Sequence, residues 1–216
     1  MYTILTDSCS DLSRQITSEF DRLEVLPLFY TISGVTSNEQ FDSEERGTAF
    51  YDRLRAGENC TTSQIPPAEF FDVFKKYAQK GEAVLGLIFS SALSGTYASA
   101  CVARDMVLEE IPDARIELID TLAASAGEGL IVYDALVNRK AGMSLEDNAA
   151  WIRERLQSYA HWFTVDDLHF LKRGGRCSPS AAFFGTMLKI KPVLHVDSEG
   201  KLIARSKVRG RMQALH

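Results

Sequence analysis

The chain has 216 residues, of which 45% are hydrophobic and 25% are charged, a composition typical of globular proteins and unlike that of disordered or fibrous ones. No apolar stretch approaches the roughly 20 residues needed to cross a bilayer, and the first residues do not read as a secretory leader. The net charge of −5 is unevenly placed, because the segment from His161 onward holds ten of the 24 Lys and Arg residues but only four of the 29 Asp and Glu residues. A basic tail on an acidic body is compatible with a phosphate, a nucleic acid or an acidic protein partner, and equally with two ordinary solvated surfaces.

Apolar runs alternate with segments of helical period along the first 160 residues, which favours βαβ units around a mostly parallel sheet flanked by helices. In chain order the pattern predicts a strand at 2–5, a helix at 11–20, a strand at 23–32 bent at Pro27, helices at 43–56 and 67–79, a strand at 83–89, a helix at 96–110, a strand at 116–119, and helices at 123–140 and 145–159.

The alternation of apolar runs with helical segments ends after Trp162. A short strand and helix lead to a glycine-containing basic stretch, followed by a predicted apolar helix at 180–188 and two β-like runs at 192–196 and 202–207. The step between these runs, "DSEG", is a good hairpin turn. The sequence therefore predicts an α/β domain over residues 1–160 and a smaller α+β domain over residues 161–216.

Hydroxyl side chains cluster where predicted strands end. The segment "SSALSGT" after the strand at 83–89 holds four hydroxyls around Gly95, just before a helix. Ligands of open parallel sheets bind outside the carboxyl ends of the strands, and a helix start offers free N–H groups to an anion. A site for a carboxylate or phosphate is one interpretation, and elaborate helix capping is the other. The loop "TTSQIPP" at 61–67 is a weaker candidate of the same kind.

The catalytic inventory is thin. No nucleophile elbow, phosphate loop or dinucleotide-binding motif is present, so neither a catalytic residue nor a metal site is predicted. His161 and His169 read as structural residues, and Asp7 as a cap at the end of a strand. The four cysteines are widely spaced and form no CxxC pair, which favours reduced thiols in a cytoplasmic protein.

Taken together, several segments resemble the DegV family of bacterial fatty-acid-binding proteins over the whole length of the chain. The segments that carry the resemblance are "TDSCSDLS" (6–13), "TTSQIPP" (61–67), "SSALSGTYASA" (90–100), "IDTLAASAGEG" (119–129), "FLKRGGRCS" (170–178), "KIKPVLHVDSEGKL" (189–202) and "KVRG" (207–210).

The resemblance implies two α/β-type domains with a long-chain fatty acid between them. It assigns head-group contacts to Thr62 and Ser94, with Ser63, Gly95 and Thr96 as neighbours. It also implies a non-catalytic carrier without a cofactor, because some family members present the acyl carboxylate to a separate ATP-using subunit of a fatty acid kinase. The resemblance also implies docking of this partner at basic positions, which correspond to Arg173, Arg176 and Arg209.

The chain departs from the family pattern at its end. The family continues with a Gly-rich, His-containing motif that reaches the carboxylate, and nothing in this chain matches it. The expected second domain is therefore short at its C-terminal side, either because the protein is short or because the sequence is a fragment.

Two other functions compete with the carrier hypothesis. The segment "SSALSGT" also resembles the phosphate loops of sugar isomerase domains, although such an enzyme needs a Glu or His base that the sequence does not make evident. Nucleic-acid binding through the basic tail is disfavoured by the acidic body and by the lack of known RNA- and DNA-binding signatures.

Overall fold

The computed structural model describes residues 1–38, 44–166, 168–176 and 190–215, and within these ranges the chain forms ten strands and eight α-helices. The strands are β1 (Tyr2–Asp7), β2 (Leu23–Leu26), β3 (Phe29–Ile32), β4 (Val35–Asn38), β5 (Cys60–Ser63), β6 (Ala83–Ile88), β7 (Ile116–Asp120), β8 (Trp162–Phe163), β9 (Ile190–Val196) and β10 (Leu202–Arg209). The helices are α1 (Arg14–Glu19), α2 (Glu44–Arg55), α3 (Pro67–Ala78), α4 (Thr96–Glu110), α5 (Ser125–Lys140), α6 (Leu145–Arg155), α7 (Leu168–Arg173) and α8 (Arg211–Leu215).

The central sheet has four parallel strands in the order β2-β1-β6-β7. Every residue of β1 and β6 is buried, as expected for strands covered on both faces. Because side chains alternate across a strand, Ile4 and Leu85 face one apolar cluster while Leu5 and Val84 face the other. Residues of α5 and α6 fill the first cluster, and residues of α3 and α4 fill the second. The predicted fold class is confirmed.

The predicted single strand at 23–32 is wrong. The structure divides it into β2, which pairs parallel with β1, and β3, which pairs antiparallel with β4 and β5 in a separate three-stranded sheet. The break falls at Pro27, which has no N–H to donate to a ladder. The next residue, Leu28, donates its N–H to the side-chain oxygen of Ser8 at 3.0 Å instead of to a neighbouring strand.

The prediction for the segment before α3 is also wrong. Cys60–Ser63, predicted as a loop, is strand β5, and β4 was not predicted at all. Both strands are short and rich in polar residues, so neither shows the apolar alternation by which a half-buried strand is recognised. Both lie at the edges of their sheet, where polar side chains are tolerated.

The remaining described residues form a small antiparallel sheet in the order β10-β9-β8. The predicted turn between β9 and β10 is confirmed, and Gly200 provides its positive φ of 78°. One face of the sheet packs on α7 through Leu168, Leu194 and neighbouring apolar residues. The predicted helix at 180–188 and Cys177 lie outside the described residues, and the domain division near residue 160 remains a prediction.

None of the helices that the structure describes is long and apolar enough to span a membrane.

Phe70 offers a direct test of the core on the α3 side of the sheet. Its side chain is fully buried, whereas the adjacent Phe71 is half-buried beneath the ammonium group of Lys75. We expect Phe70→Ala to lower the free energy of unfolding by about 3–5 kcal/mol, because it leaves a cavity that the sheet cannot collapse into. Phe71→Ala, as the matched control, should cost clearly less. Chemical denaturation measures both, and equal losses would contradict this packing.

Candidate functional site

A cavity of about 720 Å³ lies at the carboxyl end of the central sheet, a volume within the range of roughly 300–1,000 Å³ typical of ligand sites. Its walls are largely apolar, and they come from the region of the central sheet and from the small antiparallel sheet. Phe89 and Leu93 follow β6, while Val196 and Leu202 flank the turn between β9 and β10. Phe50 of α2 also lines the cavity. The arrangement suits a long apolar ligand with few polar groups.

Thr62 is the predicted head-group residue that the structure places directly in the cavity wall. It sits on β5 opposite Tyr30, which also lines the cavity. Successive side chains of a strand point to opposite faces, so Thr61 and Ser63 face away from the side that Thr62 presents. Ser63 therefore lies beside the cavity in sequence but on the other face of the strand.

Ser94 and Thr96 form a hydroxyl pair at the start of α4. Their side-chain oxygens lie 2.8 Å apart, and the Thr96 N–H donates to the Ser94 hydroxyl at 3.3 Å. Ser94 is half-buried, Thr96 is buried, and the preceding Leu93 lines the cavity. If Thr96 donates within the pair, the O–H of Ser94 is left to donate to a ligand.

Gly95 brings the two hydroxyl motifs into contact. A Cβ atom at this position would lie 1.9 Å from Oε1 of Gln64, which belongs to the "TTSQIPP" segment. The same Gln64 amide donates to the hydroxyl of Ser99 on α4 at 2.9 Å. The absence of a side chain at Gly95 thus lets Gln64 hold β5 and α4 together.

The Ser90 hydroxyl makes different contacts from the hydroxyls of its neighbours. Its hydroxyl is fully buried and donates to the carbonyl of Gly200 at 2.9 Å. Its backbone N–H donates to Ala123, and its carbonyl accepts from Leu93 and Ser94. A hydrogen bond from the Ala92 N–H and the contact with the turn of the small sheet therefore account for this hydroxyl of the "SSALSGT" segment.

The three arginines singled out in the sequence lie in different surroundings. Arg176 lines the cavity and donates from Nε to the carbonyl of Leu93 at 3.2 Å. Arg173 lies over the ring of Phe170, with 4.6 Å between its guanidinium carbon and the ring centroid. Arg209 is exposed near the end of β10. Of these residues, Arg176 brings a permanent positive charge to the cavity.

Buried carboxyl groups lie beneath the same end of the sheet. Asp7 accepts hydrogen bonds from the N–H groups of Cys9 and Phe89, both at 3.0 Å, and so ties the end of β1 to the end of β6. Burial raises the pKa of Asp7 to about 6, against the opposing effect of these hydrogen bonds. Asp7 is a cap, as predicted, and also a buried acid.

Glu128 on α5 is fully buried as well. The Thr6 hydroxyl donates to its Oε1 at 3.3 Å, while its Oε2 has no hydrogen-bond partner among the described residues. Burial, together with the charge of nearby Asp7, holds the pKa of Glu128 well above its usual range. The raised pKa favours the protonated carboxyl group, which avoids a second buried negative charge beside Asp7.

His161 lies in the cavity wall, a placement that the sequence analysis missed. Its imidazole packs against Gly127 on the first turn of α5, where a Cβ atom would lie 1.8 Å from Nδ1. Burial lowers its pKa. The run of small residues "AASAG" at 123–127 is the signal that could have indicated a close approach here, because it leaves room above the start of α5. The side chain of His169 lies outside the described part of the chain.

No group of three or more His, Cys, Asp or Glu side chains in the described ranges is arranged to hold a metal ion.

The sequence matches a known protein family and several known proteins. The family model described as "Uncharacterised protein, DegV family" matches residues 1–216. A DegV domain-containing protein from Clostridium perfringens is 42% identical over 214 residues, which cover 99% of this chain and 73% of that protein. The chain belongs to the DegV family.

Solved structures of other DegV proteins share the fold. A DegV lipid-binding protein from Thermotoga maritima superposes with a TM-score of 0.86 at 31% identity, covering 100% of this chain and 74% of that one. A DegV protein from Thermus thermophilus, described by its fatty acid binding, gives a TM-score of 0.82 at 36% identity and covers 99% and 73% of the two chains. The resemblance stated from the sequence is confirmed at the level of the family.

The buried Asp7 predicts a pH-dependent stability for this DegV protein. Because the folded state holds the Asp7 proton up to a pKa of about 6, against 3.8 ordinarily, the unfolding free energy should fall as the pH rises from about 4 to about 6. The Asp7 contribution to this fall is about 3 kcal/mol, since each unit of pKa corresponds to about 1.4 kcal/mol. Denaturation of the wild type and Asp7→Asn between pH 4 and 7.5 measures it as the change in their stability difference.

The matched control for this series is Asp113→Asn, which changes an exposed carboxylate. Its stability difference from the wild type should stay nearly constant across the same range. A constant difference for Asp7→Asn would contradict the raised pKa of Asp7.

The contact between Gln64 and Gly95 predicts strong coupling between these positions. Gly95→Ala should lower the unfolding free energy by roughly 1–2 kcal/mol, because the new methyl group displaces the Gln64 amide and breaks its bond to Ser99. In a Gln64→Ala background the same substitution should be nearly neutral, and a double-mutant cycle measures the difference.

Gly47→Ala on α2 is the control for the added methyl group, because a Cβ atom there meets nothing within 4 Å. We expect it to be neutral or stabilising, as alanine is the better helix former. Additive effects of Gly95→Ala and Gln64→Ala would show that the two motifs do not hold each other in place.

Proposed function

We propose that this DegV protein is a non-catalytic carrier that binds one long-chain fatty acid in the cavity at the carboxyl end of the central sheet. The observation that carries the proposal is the pairing of a 720 Å³, largely apolar cavity with the Thr62 hydroxyl in its wall. Membership of a family whose Thermotoga maritima and Thermus thermophilus members are described as lipid-binding and fatty-acid-binding supports the same ligand.

The acyl chain supplies most of the affinity in this proposal. Each buried CH₂ group contributes about 0.8 kcal/mol, so ~14 methylenes contribute roughly 11 kcal/mol before the cost of ordering the chain. A neutral hydroxyl contact adds only about 0.5–1.5 kcal/mol. The hydroxyls therefore orient the head group, while the cavity walls retain the tail.

We assign the carboxylate to the hydroxyls of Thr62 and Ser94, with Ser63, Gly95 and Thr96 shaping their surroundings. Thr62 lies in the wall, and Ser94 follows Leu93, which is also in the wall. Gln64 links the strand of Thr62 to the helix that starts behind Ser94. The guanidinium of Arg176, held at the Leu93 carbonyl, supports the assignment because it supplies a positive charge at this wall.

The family resemblance is the basis for what we propose happens to the bound fatty acid. We propose that the carrier presents the carboxylate to a separate ATP-using kinase subunit in the cytoplasm, and that Arg173 and Arg209 belong to the docking surface. Both are exposed cations on the basic part of the chain, which would attract an acidic partner. In this proposal Arg176 serves the ligand rather than the partner.

A sugar phosphate is the weaker candidate for this cavity. Its hydroxyl groups would lose their hydrogen bonds with water against walls built from Phe89, Leu93 and Val196, a loss that costs free energy at every unpaired group.

Native mass spectrometry of the purified protein, with organic extraction of any bound lipid and titration with palmitate, tests the proposal. We expect one fatty acid per chain. Thr62→Ala/Ser94→Ala should weaken palmitate binding by roughly 5- to 100-fold, which corresponds to the loss of two hydroxyl contacts.

Thr61→Ala/Ser91→Ala is the matched control, because it removes two hydroxyls from the same strand and the same loop at exposed positions. It should change palmitate affinity by less than about twofold, the range of most surface substitutions. A protein that carries no lipid and takes up no palmitate, or that is stabilised by sugar phosphates instead, would overturn the proposal.

A further inference from the structure

A line of three side chains crosses the small antiparallel sheet at the mouth of the cavity. Trp162 on β8 stands opposite His195 on β9, and their rings stack with centroids 5.2 Å apart and planes 25° from parallel. Arg205 on β10 donates from Nε to Nε2 of His195 at 2.7 Å. We call Trp162, His195 and Arg205 the mouth ladder.

The two faces of this sheet differ in character. Phe163, Leu194 and Ala204 belong to the apolar cluster around α7, so they occupy the covered face. Trp162 and His195 precede or follow these residues by one position and therefore present the opposite face. A ladder of polar and aromatic groups on the uncovered face does not contribute to the core of this sheet.

A β-bulge lies at Arg205. The pairing of β10 with β9 shifts between Ala204 and Ser206, which leaves Arg205 as the extra residue. A bulge re-aims a side chain relative to the regular alternation, and bulges are frequent next to functional sites. Arg205 follows Ala204 of the covered face by one position, and its Nε bonds to the His195 ring, which in turn stacks on the indole of Trp162.

Trp162 combines exposure with a position in the cavity wall. Its side chain is 62% exposed although it is large and apolar, and it lines the cavity. One face of the indole is engaged by His195, so the indole is held in a fixed orientation before any ligand arrives. A rigid aromatic side chain at an opening binds with little further loss of conformational entropy.

We propose that Trp162 is a ligand contact at the mouth of the cavity and that His195 and Arg205 are the residues that position its indole. The inference rests on the proposed fatty-acid-binding function, and it adds a contact from the small sheet to those from Thr62 and Ser94. An acyl ligand that fills the cavity therefore reaches Trp162 in its wall.

Tryptophan fluorescence tests this contact, because the chain has two tryptophans and Trp151 does not line the cavity. The experiment uses a Trp151→Phe variant, so that Trp162 is the sole emitter, and three stearates brominated near the carboxyl end, at mid-chain or near the methyl end. Bromine quenches indole emission only at short range. We expect strong quenching by at least one of the three acids and none by unbrominated stearate.

Substitutions separate contact from positioning. Trp162→Ala should weaken stearate binding by roughly 10-fold, as for other well-packed aromatic anchors. Arg205→Ala should raise the accessibility of Trp162 to acrylamide and weaken stearate binding by roughly 2- to 5-fold, because the indole is then no longer held in place. Lys207→Ala removes a positive charge from an exposed position of the same strand and should alter neither quantity.

The outcomes distinguish the two proposals. If native mass spectrometry shows bound stearate but none of the brominated acids quenches Trp162, the mouth ladder has no ligand role and the carrier function stands. Unchanged acrylamide accessibility in Arg205→Ala would overturn the positioning role. If no stearate binds at all, the carrier proposal itself fails.

Discussion

The buried hydroxyl of Ser90 is the interaction on which the arrangement of the whole site depends. It donates to the carbonyl of Gly200, at the turn of the small sheet, while its own backbone joins the loops after β6 and β7. A Cβ atom at Gly200 would lie 2.2 Å from this hydroxyl, and the φ of 78° there also favours glycine. One serine and one glycine thus fix where the small sheet meets the central sheet, and the cavity is the space that this meeting encloses.

That constraint changes the meaning of the hydroxyl-rich segment after β6. Four hydroxyls around a glycine suggest an anion site. The Ser90 hydroxyl, however, donates to the carbonyl of Gly200, and the hydroxyls of Ser94 and Thr96 bond to each other. The capping interpretation is supported for part of this segment, and the anion-site interpretation stays a prediction. Ser90 accepts from the N–H of Ala92 and Ser94 accepts from the N–H of Thr96, as capping groups do, and the proposed ligand contact is left to the O–H of Ser94.

The sequence predicts the central sheet well because continuous apolar strands and amphipathic helices leave clear signals, as at 83–89 and 67–79. It fails where pairing depends on distant residues. Strand β5 can be identified only from its pairing with β3. The missing N–H of Pro27 divides one apolar run between two different sheets. The site shows the same limit: Thr62 follows from a motif, whereas the approach of His161 to Gly127 joins residues far apart in sequence and leaves only a run of small residues as a trace.

Departures from local structural rules collect at the carboxyl end of the central sheet. Asp7 and Glu128 are buried acids, and Leu122 and Ser125 adopt positive φ angles of 52° and 50° just before and at the start of α5. Each is unfavourable by itself, since buried carboxyl groups and left-handed backbone at residues other than glycine cost free energy. A fold tolerates such costs where the surrounding packing over-determines the structure, here between the two filled apolar clusters. Their concentration beside the cavity is the distribution expected of a binding site built on a rigid sheet.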